Sequence, residues 1–454
     1  MALTAGSLES LEPRRLFAGV TIIAHGLDGT IAGWVTDAAA EVANRAGGTS
    51  SAAVYTLTVG RSNGNIAVLS YTRDSGYSAP TSLGACEIVI KLDWSTVSDS
   101  SASTGDVAGV VASFIRSKPS GEVRLAELPI HLIGFSRGGS LVTAIARSLG
   151  RSGVWVDQQT NLDPHPIDGI NEPRNENYGD TAMATFDNVA FSDTYWRSAG
   201  SPGDNGDYDG EAVSGSHNLN VTGVQQLNVN NAHQSVQTYY SGTIDLSATS
   251  AGGISINSGW YDSSPSKPAR SATGFLFSRI VGGARPADGL WSAQGGSAAR
   301  SAAGKSGSQW ANVGDLKVMG GYTFSAGSTI QIRNIRQDRD TGATLSLFLD
   351  RDRNPYDGTT KTIRKASISA GDSIQSGRLS GSTSGVSAGR YFIGAKITDA
   401  DGHTRYAYGK RITLTSGTRA VTHALSYVPA TAPPTPVLWG QERIRLADEP
   451  SIVP

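Results

Sequence analysis

The chain has 454 residues, more than one ordinary hydrophobic core accommodates, so two domains are expected. Its formal net charge is −1 at pH 7 and only 17% of its residues are charged, which excludes a large field that would attract nucleic acid or an anionic membrane. The single cysteine, Cys86, excludes an internal disulfide and any metal site built from several cysteines.

Residues 1–18 are predicted to form an N-terminal arm. The stretch Leu8-Glu9-Ser10-Leu11-Glu12-Pro13-Arg14-Arg15-Leu16-Phe17-Ala18 resembles a short Leu-Glu-x-Arg-x-Leu motif near the N-terminus of many large exported bacterial proteins. That resemblance implies an extracellular or cell-surface location, and an amphipathic arm without a role in export is the alternative. No apolar run approaches the roughly 18 residues that span a bilayer, so no transmembrane segment is expected.

Strands and helices alternate from residue 19 to about residue 250. Apolar β-rich runs predict strands, and apolar residues at helical spacing predict helices between them. The predicted strands are Val20–Ala24, Ala53–Val59, Ile66–Tyr71, Glu87–Asp93, Val154–Leu162 and Asn188–Phe191, and the predicted helices run from Ile31 to Arg45 and from Asp106 to Arg116. This alternation predicts an α/β domain at 19–250 with a mainly parallel sheet covered on both faces.

The most informative stretch is residues 129–147. An apolar run reaches Ile133, the pentapeptide Gly134-Phe135-Ser136-Arg137-Gly138 follows, and apolar residues then recur at helical spacing. A serine at such a strand-to-helix corner is held in a strained conformation, and Gly134 and Gly138 remove the clashes that β-carbons would cause. We interpret Ser136 as a nucleophile, whereas a chance pentapeptide in a chain with 55 glycines is the alternative.

Beyond residue 250 the pattern changes. Residues 251–310 are dense in Gly, Ser and Ala and are predicted to connect two domains, and residues 311–418 carry short strands separated by Gly, Asp and Ser turns. This pattern predicts a C-terminal all-β sandwich, immunoglobulin-like or fibronectin-like. Such a module would have an accessory or attachment role at a cell surface or polymer. Residues 419–454 contain several prolines and are predicted to be a loose tail.

One turn of the predicted sandwich has alternating oxygen-bearing side chains that suit calcium. The candidate ligands are Asp350, Asp352, Asn354 and Asp357. Two arginines intervene and the later glutamate of an EF-hand is missing, so a plain hairpin turn is favoured. No other metal and no organic cofactor is expected.

The motifs of residues 19–245 together resemble the α/β-hydrolase fold, in particular its lipase-like members. The resemblance pairs His25-Gly26-Leu27 with the oxyanion loop, the Ser136 pentapeptide with the nucleophile elbow, Leu162-Asp163-Pro164 with the acid loop and Asn231-Ala232-His233-Gln234-Ser235 with the histidine loop. The order Ser, Asp, His along the chain agrees with that family. The resemblance implies a serine hydrolase whose substrate is a small-molecule or lipid ester.

A nucleophilic serine needs a base, because a free hydroxyl is hardly ionised at neutral pH. We favour His233, placed on a loop after the last predicted strand, with a solvent-facing loop histidine as its alternative. His217, in a Gly/Ser/Asn-rich insertion interpreted as mobile surface, is the runner-up. The remaining histidines are disfavoured by their positions in the oxyanion loop, in a strand, beside the acid or in the later domain: His25, His131, His165, His403 and His423.

The acid must hold the second ring nitrogen of the histidine. Asp163 ends a predicted strand and is favoured, Asp193 is the alternative acid, and an Asx-turn or helix cap is the plain interpretation of either. The backbone N–H groups of Leu27 and Arg137 are the predicted oxyanion hole. Residues 168–231 lie between acid and histidine, where either a lid or a long anchored loop would fit.

These patterns predict a secreted serine hydrolase that cleaves carboxylic esters through a Ser136, His233 and Asp163 triad. Two alternatives stay open at this point. One is a noncatalytic surface-binding protein that keeps a hydrolase scaffold, and the other is a serine peptidase that uses the same site.

Overall fold

The computed structural model divides the chain into two compact units, Met1–Ser416 and Gly417–Pro454, and every described residue belongs to the first. The described residues are 19–77, 87–99, 102–117, 124–170, 176–197, 210–222, 232–278, 285–286, 292–306, 309–313, 316–333, 335–336, 342–351, 355, 359–369, 373–374 and 378–416. The predicted N-terminal arm with its export-type motif and the predicted tail at 419–454 lie outside them.

A mixed, mostly parallel sheet of eight strands dominates the first half of the chain. Its strands are β1 Val20–Ala24, β2 Ala52–Ser62, β3 Asn65–Arg73, β4 Glu87–Asp93, β5 Ile130–Phe135, β6 Val156–Leu162, β7 Val189–Trp196 and β8 His217–Asn220. They lie in the order β3-β2-β4-β1-β5-β6-β7-β8, and every neighbouring pair is parallel except β2 with β3. This architecture agrees with the predicted α/β class and is consistent with an α/β-hydrolase-like fold.

Helices cover both faces of this sheet. They are α1 Trp34–Arg45, α2 Ser95–Ser98, α3 Thr104–Arg116, α4 Arg137–Gly150 and α5 Ala232–Ile244. Because side chains alternate along a strand, Ile22 of β1 packs into one core with α3 and α4, and its neighbour Ile23 packs into a second core with α1 and α5. The result is a three-layer arrangement whose central strands are buried on both sides, whereas the edge strand β3 is largely exposed.

Several local predictions differ from the structure, among them the start of α1, which lies at Trp34 and not at Ile31. Helix α3 begins at Thr104, two residues before the predicted start, because the Ser103 hydroxyl caps the backbone N–H of Asp106 at 3.1 Å. His217 is not in mobile surface: it begins β8 and is 3% exposed. The described part of 168–231 contributes β7 and β8 to the main sheet, so that part is scaffold and not a lid.

Residues 250–278 add short elements to the second core. Strands β9 Ser250–Ala251 and β10 Ile254–Ser255 pair with each other, and 3₁₀ turns follow at Ser258–Trp260, Arg270–Ala272 and Gly274–Phe277. Trp260 and Phe275 are buried in the same core as α1 and α5. The predicted connecting region therefore contributes apolar side chains to the first half of the molecule.

The described residues from 311 to 416 are all-β. Their strands are β11 Lys317–Val318, β12 Thr323–Ser325, β13 Thr329–Arg333, β14 Ile335–Arg336, β15 Ala343–Asp350, β16 Lys361–Ile368, β17 Ser373–Ile374, β18 Leu379–Ser382, β19 Gly389–Asp399 and β20 Thr404–Thr415. They form sheets in the orders β11-β13-β18, β12-β20-β19-β15-β16 and β14-β17, and apolar residues of the first two share one core. The immunoglobulin-like assignment stays a prediction, as do the domain boundaries.

A buried arginine joins the all-β part to the first sheet. The guanidinium of Arg405 is 4% exposed and donates to the carbonyls of Leu128 and Trp155, at 3.1 and 2.7 Å, and also to that of Ala126. Its Nε donates to the side chain of Asn312 at 3.1 Å. These contacts hold β20 against the segment that precedes β5.

Glu87 gives a stability prediction, because this carboxyl is 1% exposed at the start of β4. Burial raises its pKa to about 8, although hydrogen bonds from the Thr21 hydroxyl and the Gly19 N–H favour the charged form. The folded chain therefore keeps a proton that the unfolded chain releases above about pH 4.5, so the contribution to stability falls as the pH rises toward 8.

The quantity to compare is the unfolding free energy of wild type minus that of Glu87→Gln. We expect this difference to be larger at pH 5 than at pH 7 by on the order of 2 kcal/mol. Urea unfolding of both proteins at the two pH values measures this difference. An equal difference at both pH values would contradict a protonated Glu87 in the folded state.

Candidate active site at the carboxyl edge of the sheet

Ser136 lies at the corner between β5 and α4. Its backbone has φ 55° and ψ −128°, which is a strained conformation for a residue other than glycine. Its N–H donates to the Leu162 carbonyl at 2.9 Å and its carbonyl accepts from the Gly139 N–H at 2.8 Å. The strain is thus held by hydrogen bonds to the end of β6 and to the first turn of α4.

Three glycines bring backbone close to this corner. A β-carbon on Gly134 would lie 2.5 Å from the carbonyl carbon of Gly138, and one on Gly138 would lie 2.8 Å from the carbonyl oxygen of Ala24. A β-carbon on Gly26 would lie 2.8 Å from Cβ and 3.2 Å from Oγ of Ser136. The loop after β1 therefore packs directly on the serine side chain.

His25 fixes that loop and does not act as a base. Its Nδ1 lies 2.9 Å from the Gly26 carbonyl, and its ring stacks on Trp94 with centroids 5.6 Å apart. The indole N–H of Trp94 donates to the His25 carbonyl at 3.0 Å. The residue is 1% exposed and burial lowers its pKa, which agrees with a structural role in this loop.

Arg137 occupies the first position of α4, where its backbone N–H has no acceptor within the helix. Its side chain is fully buried and forms a bidentate ion pair with Asp180, at 2.7 and 2.8 Å. The same guanidinium donates to the carbonyls of Ser98 and Ala102 at 2.5 and 2.7 Å. Asp180 in turn accepts the backbone N–H of Thr104 at 3.0 Å, so one buried ion pair ties the elbow to the segment between α2 and α3 and to the loop that carries Asp180.

Leu27, the other predicted oxyanion residue, follows Gly26 in the loop that covers Ser136 and is half-buried. The structure therefore brings both predicted oxyanion residues to the serine corner. The backbone N–H of Arg137 lies at the positive end of the α4 dipole, and the oxyanion hole made with Leu27 stays a prediction.

The structure joins Asp163 to His233. Asp163 follows β6 directly, is fully buried and has φ 43°. Its Oδ2 lies 2.6 Å from His233 Nδ1, and its backbone N–H donates to the Tyr195 carbonyl at 2.7 Å. With Nδ1 protonated toward this carboxylate, the lone pair of Nε2 is the basic position of the ring.

His233 is the second residue of α5 and does not lie on a loop, which corrects the sequence prediction. Its side chain is 19% exposed, and its ring packs on Phe135, the residue before Ser136, with centroids 4.4 Å apart. Asp163 and His233 thus meet at the carboxyl edge of β5 and β6, and each lies beside a neighbour of the serine corner: His233 on Phe135, and Asp163 next to Leu162, whose carbonyl accepts the Ser136 N–H.

The two acids weighed from the sequence have different surroundings. Asp193 lies within β7, fully buried, and accepts hydrogen bonds from Thr160 at 2.7 Å, Gln158 at 3.0 Å and Tyr195 at 3.1 Å. Burial raises its pKa to about 7 against the opposite effect of these bonds. Asp193 therefore belongs to a polar network between β6 and β7, and Asp163 is the carboxylate on His233.

This difference predicts a contrast between two matched variants. Asp163→Asn is expected to lower kcat by about 10³–10⁴ on any substrate of the site, because an amide cannot hold the same histidine tautomer. Asp193→Asn is expected to leave kcat within about threefold of wild type, since its partners are scaffold side chains. Steady-state kinetics of the two folded variants measures the contrast. The reverse order of effects would make Asp193 the functional acid.

Two other histidines are buried in the sheet and lack the surroundings of a base. Burial lowers the pKa of His131 to about 3 and that of His217 to about 4. His131 Nε2 lies 2.9 Å from the Thr160 hydroxyl, and the ring of His217 packs edge-on against Phe277. Both rings contribute to packing.

Sequence reasoning missed two charged partners in this region, Asp180 and Arg197. Arg197 follows β7 directly and donates to Asp163 Oδ1 through its backbone N–H at 2.9 Å and to Oδ2 through Nε at 2.7 Å. The fold explains this contact, because β6 and β7 are parallel neighbours and the residues that follow them meet at one edge of the sheet.

Among the described residues, one group has the spacing to hold a metal ion: Asp399, Asp401 and His403, whose ligand atoms lie within 4.8 Å of one another. The carboxylate of Asp399 already accepts the backbone N–H groups of Asp401 and His403, each at 2.9 Å, so the turn needs no ion to account for it. Of the weak calcium candidates, Asp350 is buried and accepts from Tyr408 at 2.6 Å, while Asp352, Asn354 and Asp357 lie outside the described residues.

No family model matches the chain, and no curated protein sequence matches it. Among solved structures, the chain has 12% identity and a TM-score of 0.23 to a presumed cell surface hydrolase of Lactobacillus plantarum WCFS1, over 40% of this chain and 68% of that one. It has 11% identity and a TM-score of 0.18 to catalytically inactive OgpA of Akkermansia muciniphila in complex with an O-glycopeptide, over 89% and 94% of the two chains. Similarities this low carry no functional argument.

None of the helices in the described ranges combines the length and the apolar character that crossing a bilayer requires.

Proposed function

We propose that this protein is a serine hydrolase of carboxylic esters, with Ser136 as nucleophile, His233 as general base and acid, and Asp163 as the group that orients the histidine. The observation that carries the proposal is the 2.6 Å contact between Asp163 and His233 beside a serine at positive φ. The strained corner and the buried carboxylate both cost stability. A serine and a histidine with purely structural roles would need neither of them.

The proposed reaction runs in two halves. Ser136 Oγ attacks the ester carbonyl carbon while His233 Nε2 takes the hydroxyl proton, and the backbone N–H groups of Leu27 and Arg137 stabilise the tetrahedral oxyanion. The carbon–oxygen bond to the alcohol then breaks, and the alcohol leaves with the proton from His233. Water repeats the sequence on the acyl-enzyme, releasing the acid and restoring Ser136.

Asp163 stabilises the imidazolium that forms in each half, and it keeps Nδ1 protonated so that Nε2 can accept a proton. The ion pair of Arg137 with Asp180 supports the same chemistry indirectly, since it holds the first turn of α4 against the loops around it. No metal or organic cofactor has a step in this sequence.

The proposed location is extracellular or cell-surface, with residues 311–418 as an attachment module. Support for export comes from the resemblance of residues 8–18 to a bacterial export-type motif. Support for attachment is the separate all-β core, which shares no residue with the proposed triad.

An ester and peptide panel tests the proposal. We expect turnover of p-nitrophenyl esters of graded acyl length and none of a peptide panel at the same enzyme concentration. Peptide cleavage that depends on Ser136 would contradict the esterase proposal and would indicate a serine peptidase. A folded protein that turns over neither series would favour a noncatalytic binding protein on this scaffold.

A further inference from the structure

The carboxylate that holds His233 is shared with a second, permanently charged group. Asp163 Oδ2 lies 2.6 Å from His233 Nδ1 and 2.7 Å from Arg197 Nε. Oδ1 of the same carboxylate accepts the backbone N–H of Arg197 at 2.9 Å. Asp163 is fully buried and Arg197 is 2% exposed, so this ion pair is removed from water.

A guanidinium in this place has a predictable electrostatic effect. Arginine stays protonated at every accessible pH, and charges interact more strongly inside a protein than in water. Part of the negative charge of Asp163 is therefore balanced by Arg197, and less of it remains to stabilise a positive imidazole on His233. The same pair fixes the carboxylate, because both oxygens are held by one residue.

Among the described residues, the other ionisable groups of this region have partners of their own. The guanidinium of Arg137 is paired with Asp180, and the Tyr195 hydroxyl donates to Asp193. Glu211, whose backbone N–H donates to the Pro164 carbonyl at 3.2 Å, has its pKa raised mainly by burial and lowered by His165. In the part of the chain that the structure describes, Arg197 is the cation hydrogen-bonded to Asp163.

We infer that Arg197 is a positioning residue of the proposed hydrolase. It orients Asp163 and balances part of the negative charge that this carboxylate presents to the imidazole of His233. This inference rests on the proposed function for its catalytic meaning. Its physical content, the coupling between Arg197 and His233, is measurable without any substrate.

The primary experiment follows the charge state of His233 by NMR in histidine-labelled protein, with His233→Gln to assign the signal. In Arg197→Gln the backbone N–H to Oδ1 stays, but the fixed charge is lost, so the titration midpoint of His233 is expected to rise by about one pH unit. Arg197→Lys keeps the charge and is expected to return the midpoint close to the wild-type value. Arg285→Gln, which removes a guanidinium paired with Asp157 at 3.2 Å, is the matched control and should leave the midpoint unchanged.

Kinetics supplies the second readout. With the best ester of the panel, the acid limb of the kcat/KM profile is expected to move with the NMR midpoint in Arg197→Gln, and kcat to fall about tenfold with KM unchanged. Should Arg197→Gln fail to fold, Arg197→Met, which also removes the charge, takes its place, and a His233 midpoint equal to that of wild type in this folded variant would overturn the inference.

The two proposals fail in different ways. A His233 midpoint that is the same in folded Arg197→Gln and wild type overturns the role of Arg197, whatever the activity. A shifted midpoint in a protein that turns over no ester upholds the coupling and contradicts the hydrolase.

Discussion

Replacement of Ser136 by alanine is expected to lower kcat/KM on the best ester of the panel by about 10⁴ or more. Without Oγ no acyl-enzyme forms, and only binding and the oxyanion donors remain to assist direct attack by water. The fold should survive, because the contacts that hold this corner are made by the backbone of Ser136 with Leu162 and Gly139.

The sharper form of this prediction compares single and double variants. If Ser136 and His233 act as one unit, Ser136→Ala with His233→Ala should be no slower than Ser136→Ala alone, because the base has nothing left to deprotonate. Steady-state kinetics of wild type, both single variants and the double variant closes this cycle. Additive losses in the double variant would show that the two residues act independently and would contradict the triad.

Alanine at Gly134 is expected to cost more than about 3 kcal/mol of unfolding free energy, or to prevent folding, by the general cost of overpacking a core. The added β-carbon would lie 2.5 Å from the carbonyl carbon of Gly138 and 2.7 Å from a methyl of Val142. The first is backbone in the first turn of α4, so relief requires the elbow itself to open.

A matched control is Gly109, which lies exposed on α3, where the β-carbon of an alanine would meet no other atom within 4 Å. Gly109→Ala is expected to stabilise the protein by about 0.5–1 kcal/mol, since alanine favours a helix interior. Urea unfolding of both variants measures the pair. A Gly134→Ala protein as stable as wild type would contradict the close strand–helix contact at the elbow.

The sequence predicted the first sheet well where the pattern was strong. Val20–Ala24 and Glu87–Asp93 agree with the observed strands at both ends, because each is rich in β-branched and other apolar residues. The strand, turn and helix around Ser136 were predicted for the same reason, and the two elbow glycines explained the tightness of the turn.

Elements held by long-range contacts were harder to predict. Strand β8 is only four residues long, and the buried Ser216 hydroxyl before it bonds to Ser192 and Thr194 of β7. Nothing in the local sequence reports those partners, so His217 was interpreted as surface. Likewise α5 contains few strong helix formers, and its first turn, which carries His233, was interpreted as loop.

In the site, too, residues with a local sequence signal were predicted, and residues held only by long-range contacts were not. Asp163 was predicted because it ends a strand, and His233 because of its order in the chain and its resemblance to a histidine loop. Arg197 pairs with Asp163 across 34 residues, and Asp180 pairs with Arg137 across 43 residues. Pairs so far apart along the chain have no characteristic spacing that the sequence would reveal. Only the arrangement of β6, β7 and α4 in space brings these charges together.

The most direct test of the triad is covalent labelling with a fluorophosphonate, followed by peptide mass spectrometry. We expect one adduct, on the peptide that contains Ser136. This adduct should be absent in Ser136→Ala and should form far more slowly in His233→Ala. A folded protein that takes up no label, or one that is labelled on a different serine at the wild-type rate, would contradict Ser136 as the activated nucleophile.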